Sequence, residues 1–219
     1  MSQDSLSLYH ITKPAVTTKE KPAALFLFHG YGSDENDLFS FASELPEELY
    51  IISVRAPQPM QPQGNAWYTI HWDGPDGKFN DTEEAIQSRD AIANFVKEAT
   101  ECYNLDATNI TLLGFSQGCI LSLATALSYP NLAKNVIGLS GYIDPEMLRP
   151  GYENSDFSNL NIFISHGTVD QVIPVEWAQK TPAFLNKLGI KSPLHEYPVG
   201  HGVAPQNFYD LKAWLLERI

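Results

Sequence analysis

Five short runs of mostly apolar residues punctuate the chain, Ala23 to Phe28, Leu49 to Val54, Asn109 to Leu113, Asn135 to Leu139 and Leu160 to Ser165, and the more polar Ser192 to Tyr197 reads as a further strand. A strand covered by helices on both faces has this character, whereas a strand with one wet face alternates. Between the runs, apolar residues recur every three to four positions over Asn36 to Leu45, Thr82 to Tyr103, Cys119 to Tyr129, Val175 to Leu188 and Pro205 to Arg218, the spacing of helices. Thr82, followed by acidic residues, reads as the cap of the longest helix. Leu6 to Thr12 alternates and reads as an edge strand. Strands alternating with helices predict an α/β fold with a mostly parallel central sheet and helices on both faces.

Two connections exceed the usual length. Ala56 to Asp81 is rich in Pro, Gln and Gly and carries Trp67, Tyr68 and Trp72; it reads as a long functional loop. Gly141 to Asn159 lies where many enzymes of this architecture insert a helical cap, but it is too short to build a domain, so the site below it is expected to be open. The 219 residues suit one domain over 1–219, and neither a linker nor an internal repeat interrupts them.

Composition narrows the function classes. Hydrophobic residues make up 43% and charged residues 18%, as in globular proteins, and no apolar run approaches the length needed to cross a bilayer. The net charge of −12 argues against nucleic acid and against anionic membrane surfaces. Cys102 and Cys119 have neither metal-ligand nor redox spacing, and the first residues, Met1 to Ser5, lack the basic start and apolar core of a secretory signal. A cytoplasmic location is therefore expected.

The chemistry concentrates at Gly114-Phe115-Ser116-Gln117-Gly118, placed between an expected strand and an expected helix. A sharp strand-to-helix turn of this composition exposes a serine hydroxyl, and its glycines permit strand and helix to approach closely. Activation requires a base and an acid. Asp170 follows the run Asn161 to Ile164, and His201 sits between the last strand and the last helix, which gives the chain order serine, acid, histidine. Asp144 and Asp156 are competing acids, and His10, His29, His71, His166 and His195 are competing bases. Only His201 lies beyond the acid in a loop at a strand's carboxyl end. Backbone N–H groups of Gln117 and of Tyr31, in the loop Phe28 to Gly32, are placed to form an oxyanion hole. Trp67 and Tyr68 are candidates for contact with the acyl or leaving group.

Taken together, Phe28 to Gly32, Ala66-Trp67-Tyr68, Gly114 to Gly118, Leu139-Ser140-Gly141, His166 to Asp170 with Ile173-Pro174, and Gly200-His201-Gly202 resemble the phospholipase/carboxylesterase family of α/β-hydrolases, which includes the acyl-protein thioesterases. The resemblance runs through nearly the whole chain. It implies an α/β-hydrolase fold without a large cap, nucleophile, acid and base at Ser116, Asp170 and His201, and oxyanion donors at Tyr31 and Gln117. It also implies hydrolysis of carboxylic esters or thioesters without metal or cofactor, and a homodimer, since several members form one. Tyr31 stands where the thioesterase branch usually has leucine, Cys119 where a small residue is usual, and Thr69 where that branch tends to carry aspartate. These departures favour a carboxylesterase of short to medium acyl esters over an acyl-protein thioesterase or lysophospholipase. An idle hydrolase fold serving as a binding module is the alternative of another class.

Overall fold

The computed structural model describes residues 6–74 and 77–219, and the side chains of residues 72–79 lie outside that description. In chain order the strands are β1 (His10–Lys13), β2 (Ala24–Phe28), β3 (Tyr50–Val54), β4 (Gln58–Pro59), β5 (Asn65–Ala66), β6 (Ile70–Gly74), β7 (Gly77–Asn80), β8 (Ile110–Phe115), β9 (Asn135–Leu139), β10 (Asn161–Gly167) and β11 (Leu194–Tyr197). The helices are α1 (Asn36–Phe39), α2 (Thr82–Cys102), α3 (Gln117–Ser128), α4 (Val175–Ala178), α5 (Thr181–Lys187) and α6 (Pro205–Leu216).

Seven strands form the main sheet in the order β1-β3-β2-β8-β9-β10-β11. All neighbours are parallel except the edge pair β1 and β3. The apolar runs sort their side chains to two faces with the period of two that a strand imposes. Phe26, Phe28, Ile52, Leu112 and Val136 join Ile92 and Phe95 of α2 and Leu121 and Leu123 of α3 in one core layer. Leu25, Leu27, Ile51, Leu113 and Ile137 join Phe208, Leu211 and Leu215 of α6 in the other. Every residue of α3 is buried, which explains why its sequence has no strongly polar face.

The sequence reading differs from the structure where a local cap or proline decides. Thr82 is the first residue of α2, and Asp81 is its cap: the Asp81 carboxylate accepts the Glu84 N–H at 3.0 Å. The expected helix from Val175 to Leu188 is two helices, α4 and α5, because Pro182 has no N–H to continue α4 and instead opens the first turn of α5. Asn36 to Leu45 resolves into α1 and a 3₁₀ turn over Ser40–Ser43. The long connection after β3 holds two small antiparallel ladders, β4 with β5 and β6 with β7. Residues 141–159 contain only two 3₁₀ turns.

Gly118 fixes the distance between α3 and the sheet. A methyl group there would overlap the Phe28 carbonyl and come within 2.8 Å of the His29 carbonyl oxygen, both backbone atoms that cannot step aside. Gly118→Ala is expected to lower stability by about 3 kcal/mol or more, at the upper end of what overpacking costs. Gly202→Ala, at a position with nothing within 4 Å, is expected to be neutral. Urea unfolding of the two variants checks this, and equal midpoints would contradict the packing argument.

Candidate active site

The carboxyl ends of the parallel strands deliver the chemistry to one edge of the sheet. β8 ends at Phe115, and Ser116 follows with φ 54° and ψ −116° before α3 begins. This backbone is the mirror image of an extended conformation, disfavoured for any residue with a Cβ. The turn is enforced from both sides: a Cβ at Gly114 would overlap Gly118, and one at Gly118 would overlap Phe28. The Ser116 N–H donates to the Leu139 carbonyl at 2.9 Å, tying the turn to β9. The Ser116 side chain therefore projects from the sheet edge, although the residue is only 7% exposed.

The Ser116 hydroxyl donates to His201 Nε2 at 2.9 Å, and His201 Nδ1–H donates to Asp170 Oδ2 at 2.7 Å. The His201 loop comes this close to β10 because residue 167 is glycine; a Cβ there would overlap the carbonyls of Val199 and Gly200. Asp170 Oδ1 accepts the N–H groups of Val172 and Ile173 at 2.8 and 2.9 Å. Burial pushes the Asp170 carboxyl up, but the hydrogen bonds from His201, Ile173 and Val172 outweigh it and hold the group below the usual carboxylate range. The acid thus stays ionised and aimed at the imidazole. The Phe115 ring lies 4.9 Å from the His201 ring, centroid to centroid, and limits its swing.

The competing candidates have other work. Asp144 and Asp156 cap turns by accepting the N–H groups of Glu146 and Ser158. His10 is bonded to the Tyr103 hydroxyl at 2.6 Å, and His195 stacks on Phe163 at 4.6 Å. His71 lies 3.6 Å from the Asp81 carboxylate on the surface.

On the other side of Ser116, the loop after β2 passes within van der Waals contact. A Cβ on Gly30 would stand 3.2 Å from Ser116 Cβ and 3.1 Å from the Phe115 ring. Among the described residues, no backbone carbonyl accepts the N–H of Tyr31 or that of Gln117 at the start of α3. The Tyr31 ring packs at the edge of the core.

Trp67 and Tyr68 require a correction. Both are fully buried, at 0% exposure, so neither ring offers a surface to a substrate. The Trp67 ring packs edge-on against Phe28, and its Nε1–H donates to the His29 carbonyl at 3.0 Å. The Gln117 side chain clamps the same segment from both ends: its Oε1 accepts the Trp67 N–H at 3.1 Å, and its Nε2 donates to the Tyr68 carbonyl at 2.7 Å. These two aromatic residues tie the elbow to the loop after β2. They follow a buried Ala66, and an apolar triplet inside a polar loop was the signal for a core anchor.

Sequence reasoning weighed His29 and His166 only as competing bases and assigned them no other role. His166 is buried on β10, and its Nε2–H is shared between the Ile173 carbonyl at 2.9 Å and Asp170 Oδ2 at 3.2 Å. Both histidines occur as His-Gly at a strand's carboxyl end, and this repeated dipeptide was the available sign. Cys119, fully buried under the elbow with its thiol pushed up by burial, is a packing residue; it stands 2.6 Å from where a Cβ on Gly141 would be.

The backbone strain at Ser116 is testable apart from any activity. Ser116→Gly removes the disfavoured Cβ contact, while Ser116→Ala keeps it. The glycine variant is expected to be the more stable by about 1 kcal/mol after its greater unfolded-state freedom is counted, or about 2–4 °C in melting temperature. Calorimetry of the pair checks the order, and a more stable alanine variant would contradict a strained elbow.

The sequence model of the phospholipase/carboxylesterase family matches residues 11–218. An acyl-protein thioesterase 1 of Yarrowia lipolytica is 28% identical over 94% of this chain and 97% of its own length. Among solved structures, the Bacillus cereus carboxylesterase superposes with a TM-score of 0.83 at 22% identity, covering 99% of this chain and 97% of that one. A Zea mays acyl-protein thioesterase 2 superposes with a TM-score of 0.76 at 21% identity, covering 96% and 98%. At such identities these superpositions speak for the fold, and the family match speaks for the kind of enzyme. No helix among the described residues is long and apolar enough to cross a membrane. A strand-elbow-helix turn at Ser116, a seven-stranded sheet and a match over almost the full length lead to one conclusion: the chain belongs to the phospholipase/carboxylesterase family and is an ester-hydrolysing enzyme of the α/β-hydrolase fold.

Proposed function

We propose that the protein is a serine carboxylesterase acting on short to medium acyl esters through a covalent acyl-enzyme. The observation that carries this reading is the unbroken relay from Ser116 through His201 to Asp170, at 2.9 and 2.7 Å, beside the N–H groups of Tyr31 and Gln117, which donate to no backbone carbonyl among the described residues. Ser116 Oγ attacks the carbonyl carbon while His201 Nε2 takes its proton, and Asp170 steadies the imidazolium. The tetrahedral oxyanion accepts from the N–H groups of Tyr31 and Gln117. His201 then returns the proton to the leaving alcohol, and water repeats the sequence on the acyl-enzyme.

The wall of the acyl site differs from the one read in the sequence. With Trp67 and Tyr68 inside the core, the acyl wall is assigned to Tyr142 and to the exposed apolar residues flanking Asp170. Gly141 lies beside the Ser116 carbonyl, and the next residue, Tyr142, meets the Trp177 ring edge-on at 5.1 Å. Trp177, Val169 and Val172 are exposed at 37%, 63% and 48%. These side chains favour a shallow open groove and support the short-chain reading. They also keep a second reading alive: a surface with this much exposed apolar area could hold a longer thioester-linked chain, and relatives carry the name acyl-protein thioesterase.

A fluorophosphonate is expected to label the protein once, and Ser116→Ala to abolish labelling and turnover together. Asp170→Asn is expected to lower kcat by about 10³- to 10⁴-fold through the wrong imidazole tautomer. Labelling that survives Ser116→Ala would remove the nucleophile from this account. In a series of acyl esters and matching thioesters, kcat/KM should rise about three- to fourfold per added methylene, at about 0.8 kcal/mol each, and level off at medium length. A rise continuing through long chains, with thioesters ahead of esters of equal leaving-group acidity, would replace this reading with the thioesterase one.

A further inference from the structure

His29 takes no part in the proton relay, yet it is 1% exposed and both of its ring nitrogens are engaged. The Ala56 N–H donates to Nε2 at 3.0 Å. Nδ1 lies 2.7 Å from the carbonyl oxygen of Gly30. An amide N–H can only donate and a carbonyl can only accept, so the tautomer is settled: Nδ1 carries the hydrogen and Nε2 is bare. Burial holds the imidazole below its ordinary pKa of 6.5, against the opposing pull of the Gly30 carbonyl and of the carboxylates of Asp37, Asp34 and Glu35. The ring is thus a neutral strut with one donor and one acceptor, both used.

What the strut holds matters more than how it is held. The Gly30 carbonyl and the Tyr31 N–H belong to one peptide unit. In a planar trans peptide these two groups point in opposite directions, and the plane is rigid. Drawing the carbonyl toward the His29 ring therefore turns the N–H to the other side. That unit lies against the nucleophile, as the 3.2 Å approach of a Gly30 Cβ to Ser116 Cβ measures. The only other donor to the Gly30 carbonyl among the described residues is the Ser33 N–H, at a longer 3.3 Å. The His29 backbone is itself fixed by the Trp67 indole, so the ring acts from a rigid base.

We propose that His29 is a positioning residue for ester hydrolysis: its Nδ1–H, by holding the Gly30 carbonyl, aims the Tyr31 N–H at the developing oxyanion. The proposal rests on the reading of Tyr31 and Gln117 as the oxyanion donors. It separates His29 from a histidine that merely fills the core, because only one of its two hydrogen bonds lies on the peptide that faces the chemistry.

Two isosteric substitutions divide the bonds. In His29→Asn the side-chain amide nitrogen occupies the place of Nδ1 and can still donate to the Gly30 carbonyl, while the acceptor for Ala56 is lost. In His29→Gln the amide reaches the place of Nε2 and can serve Ala56, while the Gly30 bond is lost. The expected result is that Asn keeps kcat within about threefold of the original enzyme. Gln should lower kcat by about 10- to 100-fold with KM within twofold, a misaimed donor costing part of what a deleted one costs. Affinity for a trifluoromethyl ketone, which forms an oxyanion on the serine, should fall by the same factor as kcat. Melting temperatures report whether each variant is folded.

A Gln variant with full kcat, equal losses in Asn and Gln, or a loss confined to KM would overturn the proposal. Should Gln not fold, His29→Leu takes its place with the same expectation. If neither folds, Asn decides alone: kcat retained supports the proposal, and a folded Asn variant more than tenfold slower overturns it. Failure of the underlying hydrolase reading would be visible separately, as an original enzyme that turns over no ester or thioester or one whose activity survives Ser116→Ala.

Discussion

The site depends on one close approach. Between β8 and α3 the backbone turns so sharply that Ser116 is driven to a positive φ, and the turn can form only because Gly114 and Gly118 leave room for it. The strain is of the order of 1–3 kcal/mol and must be sustained by the surroundings. Those surroundings are rigid: β8 lies between β2 and β9 in the sheet, and α3 is buried along its whole length. A surface loop could not hold a serine in this conformation. The core does so, and places the hydroxyl within reach of His201.

A second constraint joins the two halves of the site. The Gln117 side chain grips the Trp67-Tyr68 backbone, the Trp67 indole grips the His29 carbonyl, and Gly118 presses on the carbonyls of Phe28 and His29. The elbow and the loop after β2 are thereby locked in register, although 83 residues of chain separate Gly32 from Ser116. The acid side is built differently. Asp170 is saturated by two backbone N–H groups and two histidines, and the His201 loop leans on Gly167. Aromatic packing from Phe115 connects that side to the elbow.

Much of this was legible in the chain. The apolar runs of β2, β8 and β9 announced a parallel sheet because burial on both faces removes polar residues altogether. Ser116 and its two glycines were readable because a backbone clash dictates residue type directly, and His201 and Asp170 because chain order and strand ends restrict the choice. Pro182 should have divided the helix after Pro174, since a missing N–H is a local property; the apolar periodicity across it masked the break. The Asp81 cap was missed for the opposite reason, Thr82 being an equally good capping residue by type. Trp67 and Tyr68 were misplaced because the polar composition of the loop as a whole outweighed the apolar triplet Ala66-Trp67-Tyr68 that marks its buried part. The bonds of His29 to Gly30 and of His166 to Asp170 and Ile173 are short in sequence, but which side-chain orientation makes them depends on how the strand ends are packed, and the His29 bond to Ala56 joins segments remote in sequence.

The central claim is that strain and packing hold Ser116 as the nucleophile of acyl transfer. It is tested most directly by quenching the enzyme within milliseconds of mixing with an activated ester and mapping the acyl group by mass spectrometry of peptides. The account predicts a single acyl adduct on the peptide bearing Ser116, formed in a burst before steady turnover. Turnover with no adduct, or an adduct on Cys119 or any other residue, would contradict it.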